Sequence, residues 1–156
     1  MSDLLVRLYD LPQSVIVLPA GVTVRRALAP ERETILDWID TRFGAHWRGE
    51  AAVGLGQQPP TVLIAVRDQE LLGFACYDTT AKGFFGPTGV DLAERGKGVG
   101  EALLMLTLET MRSVGYAYAV IGDPGPAAFY SKRLEVLEIP GSAPGIYAGM
   151  LKAGAS

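Results

Sequence analysis

The feature that most limits what this chain can become is a glycine-rich turn, Arg95-Gly96-Lys97-Gly98-Val99-Gly100, set between an extended run and the clearest helical run of the sequence. Upstream, Lys82–Val90 reads as a strand with a bulge or bend at Gly86-Pro87. Downstream, Val99–Ser113 is rich in Leu, Met and Ala, starts directly from the turn and is stopped by Gly115, so it reads as a helix. Glycines let the backbone take up positive φ and approach a ligand closely without steric cost. The first amides of a helix have no partner inside it, and the aligned peptide dipoles favour an anion there. A strand, turn and helix of this composition make a main-chain cradle for a diphosphate, with Arg95 and Lys97 adding positive charge.

Several glycine turns bind diphosphates, and spacing separates them. A nucleoside-triphosphate loop requires a glycine five residues before Gly96 and a Ser or Thr after Lys97. Asp91 and Gly98 stand there, so that reading fails. A dinucleotide fingerprint requires Gly-x-Gly-x-x-Gly, but Gly96 and Gly98 are followed by Glu101, and Gly98 and Gly100 by Leu103. Asp123 does lie where a ribose-binding acid would fall, yet fewer than ~60 residues follow Gly100, too few for such a sheet and a substrate domain. A turn that merely connects strand to helix would not require three alternate glycines beside two cations.

The 156 residues suit one compact domain spanning 1–156, and 49% of them are apolar, enough to bury a core. A net charge of −3 argues against a nucleic-acid partner, which calls for a basic face. The lone cysteine, Cys76, allows no internal disulfide and fits a reducing cytoplasm. The lone histidine, His46, leaves no His/Cys cluster for zinc, so no metal is expected. Val15–Val24, the most apolar stretch near the N-terminus, is broken by Pro19 and Gly21 and is too short to span a bilayer. These features point to a soluble, cytoplasmic protein without a membrane or nucleic-acid partner.

Along the chain, Leu4–Leu8 and Val15–Leu18 are short apolar runs that read as strands, and Val22–Arg26 alternates as a strand does. Ala29-Pro30-Glu31 opens a helix whose stripe is Ile35, Leu36, Trp38 and Ile39. Phe43–Ala52 reads as a second helix and Gly54–Pro60 as a loop. Val62–Arg67 and Leu71–Tyr77, joined at Asp68-Gln69, form a hairpin. Beyond the glycine turn and its helix come a strand at Tyr116–Ile121, a short helix at Pro126–Arg133, and strands at Leu134–Ile139 and Ile146–Leu151. This order predicts a mixed sheet of the α/β or α+β kind.

Arg95, Gly98 and Gly100 match the Arg/Gln-x-x-Gly-x-Gly/Ala signature of the GNAT acetyltransferase superfamily. Val90 lies five residues before the arginine, Leu103-Leu104 lie in the following helix, and Phe129-Tyr130-Ser131-Lys132 fall in the next one. With Val22–Arg26 and Ile64–Tyr77 upstream, the chain resembles that superfamily over roughly residues 20–151. Residues 1–20 remain as an N-terminal extension with an extra strand. The resemblance implies a twisted, mostly antiparallel sheet of six or seven strands with splayed central strands and about four helices.

The resemblance also implies chemistry. Acetyl-CoA, as cosubstrate, would lie between the splayed strands, its pantetheine arm against main-chain groups of Val90, Asp91 and Leu92. Its pyrophosphate would meet Arg95, Gly96, Lys97, Gly98, Val99, Gly100 and Glu101. A main-chain N–H near Val90 would polarise the thioester carbonyl. The reaction would be direct attack by a primary amine of a small molecule or peptide. Tyr130 matches the helix tyrosine that acts as general acid at the sulfur. The alternative is a non-catalytic acyl-CoA-binding module of the same fold. Relatives often carry a glutamate base on the central strand, but Lys82–Val90 has no carboxylate, leaving a water relay, Asp91, Glu50 or His46. Relatives often have Asn seven residues before the tyrosine; here that residue is Asp123. Cys76 sits in an apolar strand and reads as a packing residue rather than a nucleophile. Trp47 offers an aromatic wall to the acceptor or packs on the sheet. Many relatives form dimers, and the terminal strands could support one.

Overall fold

The computed structural model describes residues 1–13 and 15–152. Its centre is the hairpin of β3 (Val62–Arg67) and β4 (Glu70–Tyr77), turned by Asp68 and Gln69, both at positive φ (51° and 64°). Two positive-φ residues match the right-handed twist of the strands they join. The strands are apolar at nearly every position because both faces are covered. Val62, Ile64, Phe74 and Cys76 face a cluster with Ile35, Leu36, Ile39, Ala51 and Leu55. Leu63, Ala65, Leu72, Ala75 and Tyr77 face a second cluster with Val99, Leu103, Leu108 and Met111. Alternation with a period of two therefore distributes one apolar run between two cores. The first cluster lies under α1 (Arg32–Phe43) and α2 (Ala45–Leu55), the second under α3 (Val99–Ser113).

The other strands are β1 (Leu4–Arg7), β2 (Thr23–Arg26), β5 (Phe84–Val90), β6 (Tyr118–Ile121) and β7 (Val136–Glu138), and a short helix α4 (Ala127–Ser131) follows β6. One seven-stranded sheet results, in the order β2-β3-β4-β5-β6-β1-β7. Every neighbouring pair is antiparallel except β5 and β6. The N-terminal strand β1 is an interior one, inserted between β6 and β7. No helix among the described residues is long and apolar enough to cross a membrane.

Two expected strands do not form. Val15–Leu18 is irregular: it is a short run between Pro12 and Pro19, neither of which can donate to a ladder, while Ile16 and Leu18 still pack against the α3-side core. Ile146–Leu151 is not a strand either. Gly145–Tyr147 makes one 3-10 turn, and Gly141, Gly145 and Gly149 all stand at positive φ, which no extended pairing accommodates.

The site is opened by β5 and β6. They pair only at Phe84↔Val120 and Phe85↔Ile121; β6 then ends while β5 runs on to Val90. Two residues, Gly86 and Pro87, oppose the single Cys76 of β4, a bulge that bends β5 where the strands part. The edge of β5 beyond Phe85 therefore lacks a strand partner and borders a cleft.

Candidate active site

The cleft is a cavity of about 1340 Å³ that runs from the glycine turn, along the open edge of β5, to α2 and the C-terminal segment. At one end the chain leaves β5, makes one 3-10 turn (Leu92–Glu94) and enters the glycine turn, with Gly96 at φ 78° and Gly98 at φ 90°. Side chains with a Cβ disfavour this left-handed region, which accounts for glycine at both. The first bond inside α3 runs from the Ala102 N–H to the Gly98 carbonyl. The amides of Val99, Gly100 and Glu101 thus have no acceptor within the helix. Gly96, Gly98, Gly100 and Glu101 all line the cavity. The donor row and the bare glycine surface fit a diphosphate.

The Arg95 Nε donates to the Val90 carbonyl at 3.3 Å, and its guanidinium lines the same end. The Asp91 N–H is bonded to Leu72 on β4, and consecutive N–H groups of an extended strand point to opposite edges. The Val90 N–H consequently faces the cleft, where a thioester carbonyl could accept from it.

Phe85 and Ile121 line the cavity where the strands part, and Tyr130 lies against Phe85. Tyr130 is held by edge-on packing against Phe85 (6.4 Å between centroids) and Phe129 (5.1 Å). It is 7% exposed, lines the cavity, and its hydroxyl has no hydrogen-bond partner among the described residues. Burial pushes the hydroxyl up to about 12, so it stays protonated and available as a donor.

At the far end, α2 contributes His46, Trp47, Glu50 and Val53, and the C-terminal segment contributes Ile146, Tyr147 and Met150. Phe43 stacks on Trp47 at 4.8 Å. The Thr80 hydroxyl donates to Glu50 Oε1 at 2.5 Å. Tyr147 is pushed up to about 12, first by burial and then by the negative charges of Glu50, Asp3 and Asp123.

Of the ten residues predicted to hold the cofactor, Val90, Arg95, Gly96, Gly98, Gly100 and Glu101 line the cavity. The others are placed differently. Asp91 pairs with Arg42 at 3.6 Å, and Leu92 is 76% exposed on the 3-10 turn. The Val99 side chain is buried in the core, leaving only its amide to serve. Lys97 reaches Glu94 at 3.6 Å, a carboxylate also held by Arg67, and is not on the cavity wall. Among the candidate bases, Glu50 and His46 face the cavity and Asp91 does not. Asp123 borders the cavity at φ 42°, its N–H bonded to Asp3 Oδ1. Cys76 is fully buried, and burial above all pushes its thiol up, which leaves no nucleophile there.

Sequence reasoning missed three contributors. Arg133, stacked over Phe129 at 4.1 Å and 3.6 Å from Glu101, adds a second cation at the phosphate end. Its position one turn beyond Phe129 was the available signal. Thr80 follows β4 with no motif to mark it. Tyr147 lies in the segment read as a strand.

Comparison with known proteins agrees with this geometry. Residues 25–134 match the model of the acetyltransferase (GNAT) family. Solved structures share the fold at low identity. One is a GCN5-related glucosamine N-acetyltransferase region of a fungal multi-domain GH3 beta-N-acetylglucosaminidase (TM-score 0.68, 15% identity, 88% of this chain and 20% of that one). Another is a GCN5-related N-acetyltransferase from Sphaerobacter thermophilus (TM-score 0.66, 19% identity, 88% and 48%). A third is a ribosomal-protein-alanine N-acetyltransferase from Brucella melitensis biovar Abortus 2308 (TM-score 0.58, 15% identity, 76% and 94%). The chain thus spans a fifth of the first and about half of the second, and identities this low carry the fold alone. No curated protein matches the sequence.

Proposed function

Because the chain belongs to the GNAT acetyltransferase family, we propose that it transfers the acetyl group of acetyl-CoA to a primary amine of a small molecule or peptide. The observation that carries this reading is the continuity of one cavity from the unpaired amides at the start of α3, along the free edge of β5, to the unpartnered Tyr130 hydroxyl.

Acetyl-CoA would supply an activated acyl thioester. The amides of Gly98–Glu101 would hold its diphosphate, with Arg95 and Arg133 adding charge. The free edge of β5 offers main-chain donors and acceptors to the pantetheine arm. The Val90 N–H faces the cleft and would stabilise negative charge growing on the carbonyl oxygen. Tyr130 would donate a hydrogen bond to the departing sulfur. Glu50 or His46, both on the cavity wall, would take the proton from the acceptor ammonium directly or through water.

The test is a mixture of pure protein, acetyl-CoA and a panel of amines in which free thiol is followed. Thiol release that depends on both amine and protein is the expected result. A protein that binds CoA yet releases no thiol with any amine would be a non-catalytic acyl-CoA-binding module instead.

A further inference from the structure

The acceptor end of the cavity has a charge pattern that narrows the amine. At the phosphate end the wall carries Arg95 and an Arg133–Glu101 pair, a net positive charge. The opposite end carries Glu50, with Asp123 at the rim. Among the described half-buried acids, Glu31 has Arg25, Asp91 has Arg42 and Glu101 has Arg133, while both oxygens of Asp78 are taken by the Gly83 N–H and the Tyr116 hydroxyl. Glu50 has no cationic partner among the described residues. The Thr80 hydroxyl occupies Oε1, and Oε2 is left without a partner. A carboxylate oxygen that faces a cavity without a protein partner can accept charge-assisted hydrogen bonds from a bound ammonium.

The walls around Glu50 carry His46, Thr79 and Thr80 and are otherwise apolar. Trp47 stands on α2, one turn before it, and the C-terminal segment faces it with Ile146, Tyr147 and Met150. Ile146 and Met150 are 58% and 56% exposed, unusual for large apolar side chains that share one cavity wall. The segment is tied down by the Asp3 N–H to the Ser142 hydroxyl (2.7 Å) and by the Ile139 N–H to the Asp3 carbonyl (2.9 Å). Gly122 lets Tyr147 lie close: a Cβ there would come within 2.5 Å of the Tyr147 hydroxyl. The hydroxyl is thereby fixed beside the loop that leads to α4 and Tyr130.

We infer that this end is built for a primary monoammonium on an apolar body, aromatic or branched aliphatic, with Glu50 Oε2 binding the ammonium and Trp47, Ile146 and Met150 packing on the body. A polyamine would leave its further charges facing an apolar wall, and a polyhydroxylated amine would lose hydrogen bonds there. This inference rests on the transferase reading for its biological meaning, but it can be tested without turnover.

Calorimetric titrations would use 2-phenylethylamine, 3-methylbutylamine, the neutral isostere 2-phenylethanol, and spermidine, each with and without saturating CoA. Both apolar amines are expected to bind at least about tenfold more tightly than 2-phenylethanol or spermidine. Glu50→Gln should weaken the amines by about tenfold or more and leave 2-phenylethanol and CoA unchanged, which a merely misfolded variant would not do. Ile146→Ser should weaken 2-phenylethylamine and 2-phenylethanol alike. Tighter binding of spermidine, or equal losses for amine and alcohol in Glu50→Gln, would overturn the inference, as would failure of both apolar amines to bind. Failure of CoA to bind while the amines still discriminate would instead overturn the transferase reading and leave the ammonium site standing.

Discussion

Replacing Tyr130 by phenylalanine removes one oxygen from a side chain whose ring is fixed by Phe85 and Phe129. That oxygen has no hydrogen-bond partner among the described residues, so the folded state loses no bond with it. The ring packing stays, and stability should change by less than about 1 kcal/mol, with a small gain as acceptable as a small loss. Catalysis should respond quite differently. With the hydroxyl pushed up to about 12 and an ordinary thiol near 8.5, full proton transfer to the thiolate would run uphill by about 5 kcal/mol. In the proposed reaction Tyr130 would therefore act by donating a hydrogen bond to the sulfur as charge grows on it, with solvent completing the protonation later. A hydrogen bond to a charged group contributes about 1.5–3 kcal/mol. At about 1.4 kcal/mol per decade, Tyr130→Phe should lower kcat by about tenfold to about 150-fold. The KM for acetyl-CoA should hold, because the sulfur carries no charge in the ground state.

The assay pairs steady-state thiol release with thermal unfolding and a CoA titration. Unchanged kcat in a variant of unchanged stability would refute the role of the hydroxyl. A loss of CoA affinity equal to the loss of kcat/KM, with kcat preserved, would recast Tyr130 as a binding residue. If the fall in kcat came with a large drop in melting temperature, the reasoning about an unpartnered oxygen would be wrong.

Three further outcomes follow from the same geometry. Gly98→Ala forces a side chain into φ 90° with its Cβ 3.4 Å from the Val17 carbonyl, at a cost of about 1–2 kcal/mol. It should also raise the Kd for CoA by about tenfold or more; a calorimetric titration with unchanged Kd would disprove the amide cradle. Gly122→Ala would place a methyl group against the Tyr147 hydroxyl and should raise KM for the amine while the Kd for CoA holds; equal damage to both would show that Gly122 serves the fold and not the acceptor end. Alkaline stability gives the last. Tyr116, Tyr130 and Tyr147 are each pushed from 10 to about 12, chiefly by burial. The folded chain thus binds more protons than the unfolded chain between those values, and the stabilisation is whole below pH 10 and lost as pH rises toward 12. Melting temperature should fall over that window, less steeply in Tyr130→Phe; the same fall in that variant would remove Tyr130 from the account.

Much of the phosphate end was legible because its function is written in backbone. A cradle of amides requires positive φ, positive φ selects glycine, and glycine at alternate positions before an apolar helix survives as a readable string. The hairpin of β3 and β4 was legible for a related reason, since two covered faces leave an unbroken apolar run. Cation identity was less secure. Arg95 and Lys97 look equivalent in sequence, but Lys97 turns to the buried Glu94, which is already clasped by Arg67. The Glu94–Lys97 spacing is local and readable, but the burial of Glu94 depends on Arg67 at the end of β3, which no local pattern announces.

Of the acceptor end only His46, Trp47 and Glu50 on α2 were legible, and the rest was not, for a physical reason that also bears on how such a chain diversifies. Its parts come from α2, from Thr80 after β4, and from the C-terminal segment, which are adjacent only because β5 bulges at Gly86-Pro87 and diverges from β6. None is constrained by backbone geometry in the way the glycine turn is, so each can vary without disturbing the cradle. Ile146–Leu151 shows the trap: an apolar run between glycines resembles a terminal strand, yet here its apolar side chains face a cavity and not a core. The same division is visible in the family match, which runs from residue 25 to 134 and so includes the glycine turn, the open edge of β5 and Tyr130. The C-terminal segment lies beyond that match, so Tyr147 and Met150, which would share the proposed acceptor end with Trp47 and Glu50, fall outside it.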